Sequence, residues 1–381
     1  MKPLGSLPSQ SGDVPRSAGS LQYTPALDGL RAVAVLGVLV AHYGLGEQLR
    51  FVEKLLPWGH LGVQLFFVLS GFLITSILLK SRADLPDSSG LWGTLKVFYV
   101  RRALRIFPAY YAVILVFVLT GSEGFMTVLP YHLLYLSNTV SATYSESGLI
   151  HPASAHFWSL SVEEQFYLVW PLVVLATPRR WLPAVGMGLV VLAPLCRLCL
   201  FLIGYPHIVG YLPTATDALG MGALLAMSRA GFFSVFEGKI WQRLLMVSLL
   251  GFAICMLLHV FAVGYRPREV LLPFFAAFVF MEGVRRIING ALPLFSEGLA
   301  WRPLAEAGRV SYAIYLIHTL TMNGLVQLFP EFGTPSLLRF AIASALTIVL
   351  ALLSWKFFEG PINNLKRFFN YAAPSRARGA H

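Results

Sequence analysis

Arg31 and His42 stand eleven residues apart in LDGLRAVAVLGVLVAHYG (27–44), a stretch that is otherwise almost wholly apolar. On an α-helix that interval is about three full turns and a rise of roughly 16 Å, so the two side chains share one face. Ionisable groups inside a membrane are costly and usually face a bundle interior or a wet cavity. One helix face thus offers a cation for an anionic ligand at one end and a titratable imidazole at the other. Asp28, one turn before Arg31, is a secondary candidate on the same helix.

Two other stretches carry charge among apolar residues. In RRALRIFPAYY (101–111), Arg102 and Arg105 occupy neighbouring positions on one helical face, and guanidinium forks bind phosphate bidentately. In HFWSLSVEEQFYLVWP (156–171), Ser161 followed three residues on by Glu164 has the spacing of a capping box. That gives Glu164 a structural role and leaves Glu163 as the charge to explain. His156, just ahead of that motif, and His318, within SYAIYLIH (311–318), are secondary candidates. Ser70 in LSGFL is a nucleophile on paper, but it lacks the G-x-S-x-G strand-to-helix setting and reads as helix packing with Gly71. Cys196 and Cys199 form a C-x-x-C inside an apolar helix and also read as packing. The histidines are scattered along the sequence without a ligand-like cluster, so no metal site is expected.

The chain that must position these groups has 381 residues, 56% of them hydrophobic and 12% charged, with a mean hydropathy of +0.68. Soluble domains average about a quarter charged residues. Repeated apolar runs near the ~20 residues that cross a bilayer indicate an all-α polytopic membrane protein; the ~10-residue alternating segments of a β-barrel are missing from the sequence. Three cysteines rule out a disulfide scaffold. The net charge of +11 flanks the apolar runs instead of lining one face, which argues for membrane orientation and against nucleic acid.

Spanning segments fall at about 28–45, 58–79, 103–120, 158–177, 182–203, 211–228, 241–262, 270–287, 308–328 and 336–357: a bundle of about ten transmembrane helices. An extra short apolar segment, 125–138, is placed at the outer surface. The interval from Lys80 to Arg105 holds six basic residues and the tail from Lys356 five. Both are cytoplasmic if an even number of crossings separates them, and ten spans satisfy this. That threading puts 23 of the 29 basic residues on the inner side. It implies a flexible cytoplasmic N-terminal tail (1–25), a membrane domain (26–365) and a basic cytoplasmic C-terminal tail (366–381), with both termini inside the cytoplasmic membrane.

Taken in order, LDGLRAVAVLGVLVAH, GVQLFFVLSGFLIT (62–75), RRALRIFPAYY, HFWSLSVEEQFYLVWP, SYAIYLIH and FFEGP (357–361) resemble the acyltransferase-3 family of integral membrane acyltransferases over about residues 25–365. The resemblance implies transfer of an acyl group, usually acetyl, from cytoplasmic acyl-CoA to a hydroxyl of an extracytoplasmic carbohydrate or glycosylated small molecule. Acyl-CoA is then a donor substrate, and no cofactor is permanently bound. The functional residues the resemblance implies are Arg31, His42, Arg102, Arg105 and Glu163. Two positions depart from the family pattern: Gln64 stands where Asp is frequent, and Thr216 stands where an Arg often precedes the Asp of TDALGMGALLA (216–226), leaving Asp217 without that neighbour.

The expected mechanism has the arginines holding the phosphates of CoA and His42 as general base on the acceptor hydroxyl. Glu163 orients the imidazole, because the threading puts both toward the outer surface. Acyl transfer onto His42 itself is the alternative route. A transporter or flippase for a lipid-linked sugar is the rival function; it would keep working without His42. Trp58, Phe157 and Trp158 at the outer mouth either stack on sugar or belong to the interfacial aromatic belt.

Overall fold

The computed structural model describes residues 23–83, 90–120, 124–140, 154–205, 207–234, 238–261 and 265–371. Most of the expected N-terminal tail (1–22) and the last ten residues of the expected C-terminal tail lie outside these. The apolar runs become α1 (Pro25–Tyr43), a short α2 (Arg50–Leu55), α3 (Trp58–Ala83), α4 (Leu91–Leu119), α5 (Phe125–Leu133), α6 (Phe157–Ala176), α7 (Leu182–Leu202) and α8 (Leu212–Arg229). They continue with α9 (Gly238–Val260), α10 (Tyr265–Ile288), two short helices α11 (Pro293–Leu299) and α12 (Arg302–Arg309), α13 (Ser311–Leu328), α14 (Leu337–Ser354) and a single turn α15 (Gly360–Asn363). Among the described residues there is no strand.

Six of these helices are long and apolar enough to cross a membrane: α1, α3, α4, the α7 region Arg179–Leu202, α9 and the α14 region Leu337–Phe368. The protein is therefore a multi-pass membrane protein. The other four expected spans are the helices α6, α8, α10 and α13, and each carries polar residues that lower its hydropathy. Burial accounts for this in α8, where every residue from Thr214 to Met227 is buried. A helix shielded on all sides by protein needs no lipid-compatible face. The short segment α5 has nine residues and rises about 14 Å, less than half of the ~30 Å hydrocarbon core. It packs on α4 instead: Phe125 stacks on Phe117 at 4.8 Å, and the Tyr110 hydroxyl donates to the His132 carbonyl at 2.8 Å.

The bundle is built around α3, which packs against α1 on one side and α8 on another. Small residues set these distances, as membrane helices associate by close packing and not by the hydrophobic effect. A Cβ on Gly62 would come within 2.4 Å of the Ala34 carbonyl oxygen, and one on Gly222 within 2.1 Å of the Val68 carbonyl oxygen. Both contacts are with backbone, so neither neighbour could give way cheaply.

Two elements differ from expectation. Helix α4 begins at Leu91, twelve residues ahead of the expected span, so Arg102 and Arg105 lie mid-helix instead of at its inner end. The extension is amphipathic, burying Thr94, Leu95 and Phe98. Asp217 does have an arginine partner, supplied by a different helix. Arg197 of α7 reaches its carboxylate at 2.6 Å, with both side chains fully buried. The same guanidinium donates to the Val270 carbonyl at 2.9 Å and to the Thr214 carbonyl. One side chain thereby ties α7, α8 and α10 together.

Candidate active site

Helices α1, α3, α4, α6 and α13 enclose a cavity of about 260 Å³. Arg31 reaches it from α1, Ser70 from α3, and Arg102 and Arg105 from α4. Helix α6 contributes Ser159, Glu163 and Tyr167, four residues apart and therefore on one face. Helix α13 adds Ser311, Tyr312 and Tyr315, while Phe66, Phe67, Leu69 and Leu73 of α3 make much of the apolar wall.

The charged end is crowded with cations. Arg31 lies 3.8 Å from Asp28, whose other oxygen accepts from Tyr23 at 2.8 Å. The guanidinium of Arg102 sits over the ring of Tyr167 at 3.7 Å and 3.9 Å from a Glu164 oxygen. Its buried Nε, the atom that faces Glu164, is too far from that carboxylate for a hydrogen bond and has no other hydrogen-bond partner. Arg105 faces the indole of Trp355 at 5.4 Å. Glu163 accepts a hydrogen bond from Ser70 Oγ at 2.6 Å, and Arg102 and Arg31 act on it electrostatically.

The histidines form a second group. The ring of His42 lies 4.7 Å from that of His318 and 6.3 Å from that of His156, and the latter two are 4.5 Å apart. His42 is exposed, whereas His156 and His318 are buried. His42 Nδ1 lies 2.8 Å from the Val38 carbonyl. A carbonyl can only accept, so in neutral His42 Nδ1 carries the proton and Nε2 keeps its lone pair. His318 is held the same way, with Nδ1 2.6 Å from the Tyr315 carbonyl. The buried Nε2 of His318 and both ring nitrogens of His156 lack partners. Among the described residues no group of His, Cys, Asp or Glu is arranged to hold a metal.

Tyr315 and Ser159 join the two groups. Both line the cavity; their hydroxyls lie within hydrogen-bond distance of each other and of the His156 carbonyl, at 3.1 and 3.2 Å, and their two protons serve two of these three contacts at a time. Tyr315 also touches the rings of His156 and His318, at 5.3 and 5.7 Å. Behind the histidines, the end of α1 is clamped. The Tyr43 hydroxyl donates to the His318 carbonyl at 2.9 Å, and buried Arg339 donates to the carbonyls of Tyr43, Gly333 and Phe332 at 2.6, 2.8 and 3.1 Å.

Of the residues singled out from sequence, Arg31, Ser70, Arg102, Arg105 and Glu163 meet in the cavity, with Asp28 behind Arg31. His42, His156 and His318 meet beside it. Glu163 and His42 belong to different groups: the partner fixing the His42 imidazole is the Val38 carbonyl, and Glu163 is bound to Ser70. The expected capping box is not formed, because α6 starts at Phe157 and puts Ser161 inside the helix, where it bonds Ser137 at 2.7 Å. Glu164 faces Arg102 instead. Ser70 is a hydrogen-bond donor to the site and not mere packing. Phe157 is fully buried against His156 and His132, so it belongs neither to a sugar platform nor to an interfacial belt. Sequence reasoning missed Ser159, Glu164, Tyr167 and Tyr315. The available signals were the Ser159–Glu163–Tyr167 stripe at four-residue intervals and the Tyr312–Tyr315–His318 stripe at three.

The acyltransferase-3 profile, described as an acyltransferase domain, matches residues 24–356. The chain is 31% identical over 383 residues to the peptidoglycan O-acetyltransferase OatA of Listeria monocytogenes, covering 92% of this chain and 57% of that protein. It is 30% identical over 391 residues to the O-acetyltransferase OatA of Staphylococcus aureus strain NCTC 8325 (94% and 60%). It is 31% identical over 372 residues to the putative peptidoglycan O-acetyltransferase YrhL of Bacillus subtilis (90% and 55%). The chain thus spans somewhat more than half the length of these relatives. No solved structure matches it. With its motifs gathered around one cavity and the profile covering nearly its whole length, the chain belongs to the acyltransferase-3 family of integral membrane acyltransferases.

Proposed function

We propose that this protein is a membrane-embedded O-acyltransferase that moves an acetyl group from cytoplasmic acyl-CoA to a hydroxyl of an extracytoplasmic carbohydrate, of which peptidoglycan is the first to test. The observation that carries the reading is the polarity of the site along α1. Cations that suit a phosphorylated donor line the cavity at the Arg31 end, and an exposed imidazole with a free Nε2 stands at the other. Ten helices serve as spans, the six apolar ones and the four polar helices α6, α8, α10 and α13. Arg31 then faces the cytoplasm and His42 the outer side, with both termini inside.

In this reading the phosphates of the donor lie against Arg31, Arg102 and Arg105, and the pantetheine arm runs along the apolar wall of α3. His42 Nε2 takes the proton of the acceptor hydroxyl, the oxygen attacks the thioester carbonyl, and the C–S bond breaks to release the thiolate of CoA. Glu163, held by Ser70, offsets the cations of Arg31 and Arg102 and keeps them in register for the phosphates. Tyr315 and Ser159 stand between the cavity and the histidines, so the thioester passes them to reach His42. Relatives named as O-acetyltransferases support acetyl as the group transferred.

The test uses inside-out vesicles supplied with labelled acetyl-CoA on the cytoplasmic face. Label on lumenal glycan with the protein present, and none without it, is the expected result. Movement of a lipid-linked sugar without label would favour the flippase instead.

A further inference from the structure

Attack on a thioester drives negative charge onto the carbonyl oxygen, and catalysis of that step needs a hydrogen-bond donor aimed at it. His42 is occupied with the proton of the acceptor. Of the hydroxyls lining the cavity, Ser70 donates to Glu163 at 2.6 Å and Tyr312 to the Ile106 carbonyl at 3.1 Å. Two more stand at the arginine end. The Tyr167 ring lies beneath the Arg102 guanidinium at 3.7 Å, and Ser311 comes three residues after Gly308, whose backbone packs on Asp28. Tyr315 and Ser159 remain, both buried at the border between the cavity and the histidines. The ring of Tyr315 lies 6.2 Å from that of Phe66 on the cavity wall. On its other side it lies 5.3 and 5.7 Å from the rings of His156 and His318.

The hydrogen bonding of this pair leaves one proton able to turn. The His156 carbonyl has the Ser159 hydroxyl at 3.2 Å and the Ser159 backbone N–H at 3.4 Å, so it keeps a donor when Tyr315 turns away. Redirecting the Tyr315 O–H to a substrate oxygen therefore leaves no buried group unpaired, which is the usual cost of such a move. We propose that the Tyr315 hydroxyl is the oxyanion donor of the transfer reaction, bonded to the thioester carbonyl oxygen while Ser159 holds the His156 carbonyl. The assignment rests on the donor reading above. As the acceptor oxygen bonds to the carbonyl carbon, its proton passes to His42 and the C=O electron pair moves onto the oxygen that faces Tyr315. The pair then returns, the C–S bond breaks and CoA leaves as the thiolate. The phenol keeps its own proton throughout. A phenol is a stronger donor than an alkyl hydroxyl, so the role falls to Tyr315 and not to Ser159.

Isotope-edited infrared spectroscopy reads this bond directly, with acetyl-CoA carrying carbon-13 at the thioester carbonyl and bound to the full chain in nanodiscs. The His42→Ala protein serves as background, so that no acetyl group moves. In it, Tyr315→Phe is expected to shift the carbonyl stretch upward, because a hydrogen bond to the oxygen weakens the C=O bond. Difluorotyrosine placed at position 315, a stronger donor of nearly the same shape, is expected to shift it downward; it tests the bond even if Tyr315→Phe fails to fold. With His42 intact, Tyr315→Phe should slow label transfer to glycan by about a hundred- to a thousandfold, the scale of one oxyanion donor. The dissociation constant for acetyl-CoA should change far less, because the bond strengthens as charge develops. A stretch that neither replacement moves overturns the proposal and leaves the donor reading standing. A rate loss in Tyr315→Phe without a shift overturns it too, as that is what a merely structural role gives. Acetyl recovered on the Tyr315 oxygen of protein quenched during turnover would make the residue a nucleophile and refute the assignment. Acetyl-CoA that fails to bind the wild type overturns the donor reading and the proposal with it.

Discussion

The imidazole of His42 stands edge-on to that of His318, ring centroids 4.7 Å apart, and His318 presents a buried Nε2 with no partner. In the proposed mechanism His42 gains a proton, and the ring of His318 is the neighbouring group set edge-on to it. Replacing His318 by Gln keeps a polar side chain but removes the ring. Acetyl transfer should fall by about ten- to a hundredfold, toward the low end of what a proton-transfer group contributes, while the dissociation constant for acetyl-CoA stays unchanged. A parallel loss of donor binding would place His318 in the wrong half of the site.

Ser70→Ala separates two roles for that hydroxyl. As the donor to Glu163 at 2.6 Å, its loss removes one hydrogen bond to a charged group, worth about 1.5–3 kcal/mol. Transfer should drop about ten- to a hundredfold and remain measurable. An acyl-Ser70 intermediate would instead be abolished outright, and mass spectrometry of protein quenched during turnover would find the acylated peptide only in the wild type.

The Arg197–Asp217 pair is the staple of α7, α8 and α10, fully buried at 2.6 Å. Asp217→Ala should destabilise the detergent-solubilised protein by about 3–5 kcal/mol, because an uncompensated cation stays inside. Replacing both residues by apolar ones of similar volume should recover part of that loss. Thermal unfolding of the two single variants and the double variant measures it; strict additivity would contradict the pairing.

Gly222 approaches the Val68 carbonyl so closely that a Cβ would lie at 2.1 Å. Gly222→Ala should therefore force α3 and α8 apart and lower the unfolding temperature, although the substitution favours the isolated helix. Gly93 has nothing within 4 Å, so Gly93→Ala is the control that leaves the unfolding temperature unchanged or higher.

Much of this arrangement was legible in the sequence because lipid imposes a simple pattern on the chain. Apolar runs marked the helices, and the eleven-residue interval put Arg31 and His42 on one face of α1. What stayed hidden was contact between elements far apart in sequence. The Ser161–Glu164 spacing imitates a cap, but it counts only if the helix begins there, and α6 begins four residues earlier. Asp217 looked unpartnered because its arginine lies twenty residues back on α7. Glu163 and His42 were paired by their place relative to the membrane, yet a helix face and not depth decides which side chains meet. Ser159 and Tyr315 sit inside the recognised motifs, but their types gave no charge to notice.

Label transfer by His42→Ala decides whether this imidazole is the base. Vesicles with wild-type and variant protein at matched amounts, both shown to bind acetyl-CoA with the same affinity, receive labelled acetyl-CoA on the cytoplasmic face. Wild type should label extracytoplasmic glycan, and the variant should lose all but a hundredth or less of that rate, as expected when a general base is removed. Equal labelling by both proteins would contradict the account, because the proton of the acceptor hydroxyl would then leave by a route that does not pass through His42.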